Sequence, residues 1–354
     1  MSQQTTNASA TKRGKVPLPR VIVVVGPTSS GKTALSLRLA REFDGEIVNA
    51  DARQMYKGFS IGTGKPPGKR GKVGTHTAYL VRVQHAEVME KAEAAHRDVA
   101  HDFPEVPHYL MDFLEPSQMM TVAEWREKAL KAIRGIAKRG KVPIVVGGTG
   151  LYTSTLIDNF DIPRVPPNYS LRSSFEKQPL EKLVAHLLRL DPTAATVIDL
   201  KNPRRVIRAI EICTFTGKPV SQQRKKKPPV IDAYQVGVRW PREELYRRID
   251  GAIRRMMEDG WPEEVRVQHD KGVSWNAPAM TSIGYREIGR YLRGEIMLDE
   301  AIRLIKIATY HYAKRQETWL KRDHRIHWAT NEDQARELVR EWLRASQILH
   351  LRSE

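Results

Sequence analysis

Fifty-nine basic residues against 41 acidic ones give this 354-residue chain a net charge of +18 and a pI near 9.9. With 40% hydrophobic and 28% charged residues it is an ordinary globular composition, which excludes wholesale disorder and collagen-like repetition. No apolar run approaches the ~20 residues of a membrane helix, and the single cysteine, Cys213, excludes an internal disulfide framework and any multi-cysteine metal site.

The length suits two domains, or one large domain with an insertion. Residues 1–20 are polar, free of acids and without a signal-like apolar core, and read as a disordered basic arm. From Val21, strand and helix signals alternate. Val21–Val25 is a buried strand stopped by Gly26-Pro27, and Thr33–Phe43 has Leu35, Leu39 and Phe43 on one helical face. Glu46–Ala50 and Pro107–Met111 read as further strands. A helix with the capping box Thr121-Val122-Ala123-Glu124 precedes the strand Val142–Val146. This alternation predicts an α/β fold: a P-loop-type, mostly parallel sheet flanked by helices, spanning 21–159. Pro163, Pro166 and Pro167 then open a helical stretch at 160–229, read as an inserted domain. Tyr234–Trp240 returns to the core, with Pro241 predicted at the first position of a helix that stops at Gly260. Residues 230–330 complete the core with helices, and 331–354 is a C-terminal helix.

The strongest motif is Gly26-Pro27-Thr28-Ser29-Ser30-Gly31-Lys32-Thr33, which fits G-x-x-x-x-G-K-[ST] between a strand and a helix. Its backbone N–H groups can close around a phosphate or diphosphate, helped by the helix dipole. Lys32 adds a charge, and the Thr33 hydroxyl can ligate Mg²⁺. The loop alone leaves an ATP-dependent kinase of a small metabolite open. Asp112 could then serve as a magnesium ligand. Asp51 follows the second strand, so it should sit on the carboxyl edge beside the loop, as a general base or metal ligand.

Charge is concentrated too. Residues 201–230 hold nine basic residues against one acid, Glu211; Arg204, Arg205 and Arg208 lie within about one helical turn after Asn202-Pro203. Such a cluster suits the phosphates of a folded nucleic acid. Tyr310-His311-Tyr312-Ala313-Lys314-Arg315-Gln316 mixes aromatics and cations ahead of Trp319.

Together with Gly62-Thr63-Gly64-Lys65-Pro66, Pro107–Asp112, Gly147-Gly148-Thr149-Gly150-Leu151-Tyr152 and Gly284-Tyr285-Arg286-Glu287, these landmarks resemble the tRNA dimethylallyltransferase (tRNA isopentenyltransferase) family from about Val21 to Trp328. The resemblance implies transfer of a dimethylallyl group from its diphosphate to N6 of the adenosine just 3′ of the tRNA anticodon, position 37. The loop Gly26–Thr33 would hold the diphosphate, with Mg²⁺ on Thr33, and Lys32 and Arg248 would support the leaving group. Asp51 would be the base. Ala52, Arg53 and Gln54 would lie near the flipped adenine; Thr149, Arg172, Arg204, Arg205, Arg208, Gly284, Tyr285, Arg286, Lys314, Arg315 and Gln316 would contact tRNA. The 160–229 insertion would grip the anticodon stem. The expected protein is a cytoplasmic monomer with no membrane association.

The chain departs from the family pattern in four places. Ala52 stands where Ser is usual after the Asp. Ala252 stands where an Arg is used near the diphosphate, with Arg248 and Arg255 one turn away on the same face. Tyr310 replaces an Arg. An extra insertion, 67–106, replaces a short loop, and Ala78–His101 within it reads as a charged helix. Ala52 and Ala252 leave a catalytically weakened tRNA-binding homologue as an alternative.

Overall fold

A computed structural model describes residues 17–82, 105–223 and 226–351. The run of β-branched residues at the start of the core forms β1 (Arg20–Val25), with Val21 to Val25 buried. Alternate residues of β1 serve two different cores, as the two-residue period of a strand requires. Val21, Val23 and Val25 pack in the cluster that includes Trp125 and Ile133; Ile22 and Val24 pack with Leu35, Leu39 and Val339. The sheet is therefore covered on both faces, which is why its strands are continuously apolar.

After β1 come α1 (Lys32–Glu42) and β2 (Gly45–Asn49). A hairpin, β3 (Gly68–Val73) and β4 (His76–Arg82), leads towards β5 (Glu105–Tyr109). α2 (Val122–Lys138) begins at the expected capping box: the Thr121 hydroxyl accepts from Glu124 N, and the Glu124 carboxylate accepts from Thr121 N at 2.8 Å. β6 (Val142–Gly147) and α3 (Gly150–Ile157) follow. The inserted stretch folds as α4 (Tyr169–Glu176), α5 (Leu180–Leu190), α6 (Pro203–Thr216) and the short α7 (Val220–Gln223). These helices hold an apolar core of their own, with Leu183, Leu187, Val206 and Ile210 buried together. The chain then adds β7 (Asp232–Val238), α8 (Arg242–Glu258), α9 (Trp261–Asp270), α10 (Tyr285–Leu292), α11 (Leu298–Leu320), β8 (Ile326–Ala329) and α12 (Glu332–Leu351).

The eight strands lie in the order β3-β4-β5-β2-β6-β1-β7-β8. β5, β2, β6, β1, β7 and β8 are mutually parallel, and antiparallel pairing is confined to β4 with its neighbours β3 and β5, so the predicted mostly parallel α/β sheet is what forms. Among the described residues no helix is long and apolar enough to cross a membrane.

Two local expectations are corrected. Ala78–Arg82 is strand, not the start of a charged helix, because Tyr79 and Val81 alternate into a small cluster with Met111; the remainder of that expectation lies outside the described residues. Pro241 precedes the helix instead of opening it, its ψ of 146° being extended. That helix runs to Glu258 with Asp259 as its cap, so it stops at Gly260 as expected, and Gly260, at φ 90°, leads into α9. Residues 1–16 of the N-terminal arm, and Arg224 and Lys225 of the basic loop, also lie outside the described residues.

Candidate active site

The phosphate loop lies at the carboxyl end of β1, between the ends of β6 and β7. Three of its residues take positive φ, Gly26 at 153°, Ser29 at 59° and Gly31 at 95°, and this turns successive N–H groups towards one side. The carbonyls that face the other way have partners outside the loop. Arg248 Nε donates to Ser29 O at 3.1 Å, and Trp240 Nε1 donates to Ser30 O at 2.9 Å. Lys32 Nζ donates to Pro27 O. The first N–H groups of α1 are left, as at any helix start, for a ligand. Ser30 Oγ is buried and without a hydrogen-bond partner, a polar atom of the loop still unspent.

The loop opens onto a cavity of about 680 Å³. Thr28 to Thr33 form one wall and Asp51, Gln54 and Gly62 to Gly64 another; Arg247, Arg248 and Arg255 of α8 close a third, and Tyr312 and Gln316 come from α11. Ala252 lines the cavity as well, between Arg248 and Arg255, which line it too. Arg248 is held in place by stacking its guanidinium 4.2 Å over the Trp240 ring. Burial pulls the Lys32 ammonium down to about 8, while the charge of Asp51 acts in the opposite sense.

Asp51 is placed by its own strand. Asn49, at the end of β2, accepts from Asp51 N at 3.0 Å and donates its amide to Asp51 O and to Leu110 O, at 3.0 and 2.9 Å. One Asp51 carboxylate oxygen accepts from Arg53 N at 2.8 Å, which leaves the other for a ligand. Gln54 donates to Thr63 O and Gly64 O, tying the Gly62–Pro66 loop to the same wall. Arg53 is exposed and donates to Pro278 O at 3.0 Å. Ala52 is half-buried against the core.

Other expected site residues fall into two groups. Arg204, Arg205, Arg286, Lys314 and Arg315 are exposed, and Thr149 is half-buried at the start of α3, where its hydroxyl bonds Tyr312. The side chains of Arg172, Arg208, Gly284's neighbour Tyr285 and Gln316 serve the protein itself. Arg172 reaches the buried Glu211 at 2.8 Å; Arg208 also pairs with Glu211 and donates to Val165 O. Tyr285 is fully buried, its hydroxyl on Glu264 and accepting from Gly62 N at 3.1 Å. Gly284 is buried against Trp261, whose ring fills the space a side chain would need.

Several arrangements escaped the sequence. Asp112 is not free for a metal: the fully buried Lys65 ammonium donates to it at 2.6 Å and to Tyr56 O at 2.8 Å. Tyr312 lines the cavity close enough to Asp51 for the carboxylate charge to raise its hydroxyl, in addition to the effect of burial. Tyr310, where Arg was expected, stacks on Tyr246 at 4.2 Å and donates to Asp250. Among the described residues no cluster of three or more His, Cys, Asp or Glu could hold a metal by itself.

The chain matches known proteins along most of its length. The profile of IPP transferase matches residues 94–323, and that of isopentenyl transferase matches residues 19–106. A tRNA dimethylallyltransferase of a Roseiflexus species is 37% identical over 335 residues, covering 92% of this chain and 99% of the relative. A crystal structure of a tRNA isopentenylpyrophosphate transferase from Staphylococcus epidermidis superposes with a TM-score of 0.60 at 30% identity, covering 93% of this chain and 99% of the other. A eukaryotic dimethylallyltransferase captured acting on tRNA gives a TM-score of 0.65 at 26% identity, covering 89% and 75%. On this extent of similarity, the chain belongs to the tRNA dimethylallyltransferase (IPP transferase) family.

Proposed function

We propose that the chain transfers a dimethylallyl group from dimethylallyl diphosphate to N6 of adenosine 37 in the anticodon loop of tRNA, with the Gly26–Thr33 loop binding the diphosphate and Asp51 acting as base. The observation that carries this reading is the placement of Asp51 and Lys32 in the walls of one cavity, a carboxylate facing an anion-binding loop. A kinase would need that same space for nucleophile and nucleotide together, and its usual metal-binding Asp position, Asp112, is taken by Lys65.

Allylic C–O cleavage develops negative charge on the leaving diphosphate. The loop N–H groups, Lys32 and Arg248 lie where that charge appears, so they stabilise the transition state more than the bound donor. The exocyclic amine of adenine is a weak nucleophile because its lone pair is delocalised into the ring. The Asp51 carboxylate takes the amine proton as the C–N bond forms, and the Asn49 and Arg53 hydrogen bonds fix its direction. Gln54, in the same wall, faces the incoming base. An adenosine in a loop is cheap to unstack, which suits a site that must take the base out of its stack.

The residues fit a Mg²⁺ of the phosphate-loop kind. Such an ion takes few protein ligands and completes its shell with phosphate oxygens and water. Thr33 lines the cavity at the start of α1, and no protein cage of carboxylates is required. Mg²⁺ would neutralise charge on the diphosphate.

Arg204, Arg205, Arg286, Lys314 and Arg315 supply the exposed positive surface for tRNA, and the helices at 160–229 carry the first two towards the anticodon stem. With loop, base and cations on one chain, the protein acts as a monomer. The free Cys213 accords with a reducing cytoplasm. Purified protein with dimethylallyl diphosphate, Mg²⁺ and unmodified tRNA should yield prenylated adenosine without ATP. A requirement for ATP with phosphorylation of a small metabolite would favour the kinase, and tRNA binding without product would mark a non-catalytic homologue.

A further inference from the structure

The β3–β4 hairpin belongs to the insertion at 67–106, and it creates a second cleft, of about 280 Å³, against α2. Six of its lining residues are basic: Arg70 and His76 from the hairpin, Lys128, Lys131 and Arg139 from α2 and its end, and His108 of β5, which burial pulls down to about 4 and so keeps neutral. None of its lining residues is a carboxylate. On α2 the cations keep a helical stripe, Lys128 and Lys131 leading through Gly135 to Arg139 at intervals of three and four residues. The hairpin closes over that stripe. The point where a side chain on Gly135 would begin lies 3.6 Å from Arg139 Nη1 and 4.0 Å from His76 Nε2, so donors from the two elements converge on one small open space.

Basic residues on an edge strand also discourage strand pairing between molecules, and β3 is an edge. That explanation accounts for Arg70 but not for the stripe on α2, whose charges face the hairpin. Converging like charges destabilise a surface unless an anion sits between them. Arg70, His76, Lys128 and Lys131 are exposed, and among the described residues none of them makes an ion pair; Arg139 shares Glu46.

We infer that this cleft binds backbone phosphates of the tRNA whose adenosine occupies the active site. The inference rests on the tRNA reading above. Its placement supports one RNA reaching both sites: Leu110 lines the cleft, its carbonyl accepts from Asn49, and Asn49 holds the backbone of Asp51. The cleft meets the Asp51 loop at Leu110 and runs from there along α2 to Arg139, which pairs with Glu46 near the amino end of β2. Contacts of this kind orient the RNA and add affinity without reading sequence.

The test replaces Arg70, Lys128 and Lys131 by Gln together, with a control variant in which Arg41, Lys271 and Arg344, exposed elsewhere, are replaced by Gln. Both variants lose the same charge, and thermal unfolding confirms that both remain folded. Binding of unmodified tRNA is measured across a salt series. The cleft variant should lower the log–log salt slope by about 2, from ~0.7 per lost contact, and the control should leave it nearly unchanged. The affinity for dimethylallyl diphosphate should not move in either. Equal slopes in the two variants would overturn the inference. So would an unchanged slope in a cleft variant that has lost binding of inorganic phosphate shown by the wild type, since that marks a small-anion site. A wild-type chain that binds no tRNA would instead refute the reading on which the inference rests.

Discussion

Gln316 holds the phosphate loop from the opposite side of the sheet edge: its Oε1 accepts from Thr28 N at 2.8 Å, while its Nε2 donates to Gly148 O at 2.9 Å. The side chain is 6% exposed and spans from the loop after β1 to the loop after β6. Only glycine fits at 148, because a Cβ there would stand 2.1 Å from that amide nitrogen. Gln316→Ala removes both bonds and leaves two backbone groups without partners. The affinity for dimethylallyl diphosphate should fall about tenfold, at a cost of ~1–3 kcal/mol in lost buried hydrogen bonding. Gln316→Glu, which can still accept from Thr28 N but cannot donate to Gly148 O, should fall between. Isothermal titration with the diphosphate donor checks both, and wild-type affinity in Gln316→Ala would remove the anchoring role.

Lys32 sets the alkaline limit. Its ammonium is lowered to about 8 by burial, so near pH 7 the free protein carries the charge and near pH 9 it has mostly lost it. A bound diphosphate favours the charged form. Donor affinity should therefore weaken as pH rises through about 8, and binding near pH 9 should take up close to one proton. Asp51 raises the lysine, so Asp51→Asn should move that limit to lower pH. Titrations in buffers of different ionisation enthalpy measure the uptake; a donor affinity flat from pH 7 to about 10 would contradict it.

The arginines of α6 divide by partner. Arg208 and Arg172 share the buried Glu211, and together they hold its carboxyl below the ordinary range despite the opposing effect of burial. Arg208→Gln should therefore cost ~1–3 kcal/mol of stability, seen as a lower unfolding midpoint. Arg204→Gln and Arg205→Gln, at exposed positions, should change stability by less than ~0.5 kcal/mol but reduce the salt dependence of tRNA binding by ~0.7–0.9 for each contact. The opposite pattern would return Arg208 to the RNA-facing set.

These distinctions mark where the sequence stops being legible. The phosphate loop, the position of Asp51 and the parallel core could be read because each is local: a β-branched run, a glycine turn and a helix start lie within a few residues of one another. Gln316, the Lys65–Asp112 pair and the Glu211 arginines could not, since each joins residues that only folding brings together. From the sequence, Arg208 lies three residues before Glu211 on one helix, but nothing shows that the same acid will also claim the distant Arg172. The hairpin was hidden for another reason. Gly68-Lys69-Arg70-Gly71-Lys72 carries no apolar alternation, as an exposed edge strand need not, and β8 at Ile326–Ala329 is too short to give a periodic signal.

The central claim is that Asp51 removes the amine proton while the phosphate loop holds the departing diphosphate. The most direct measurement is the single-turnover rate of prenyl transfer by Asp51→Asn at saturating donor and tRNA, beside the wild type. Asparagine keeps the shape and can still accept from Arg53 N, so tRNA affinity should stay within a few-fold while the chemical step slows by ~10²–10⁴-fold. A variant that transfers the prenyl group at a near wild-type rate would contradict the account and leave Asp51 as a residue that only shapes the turn.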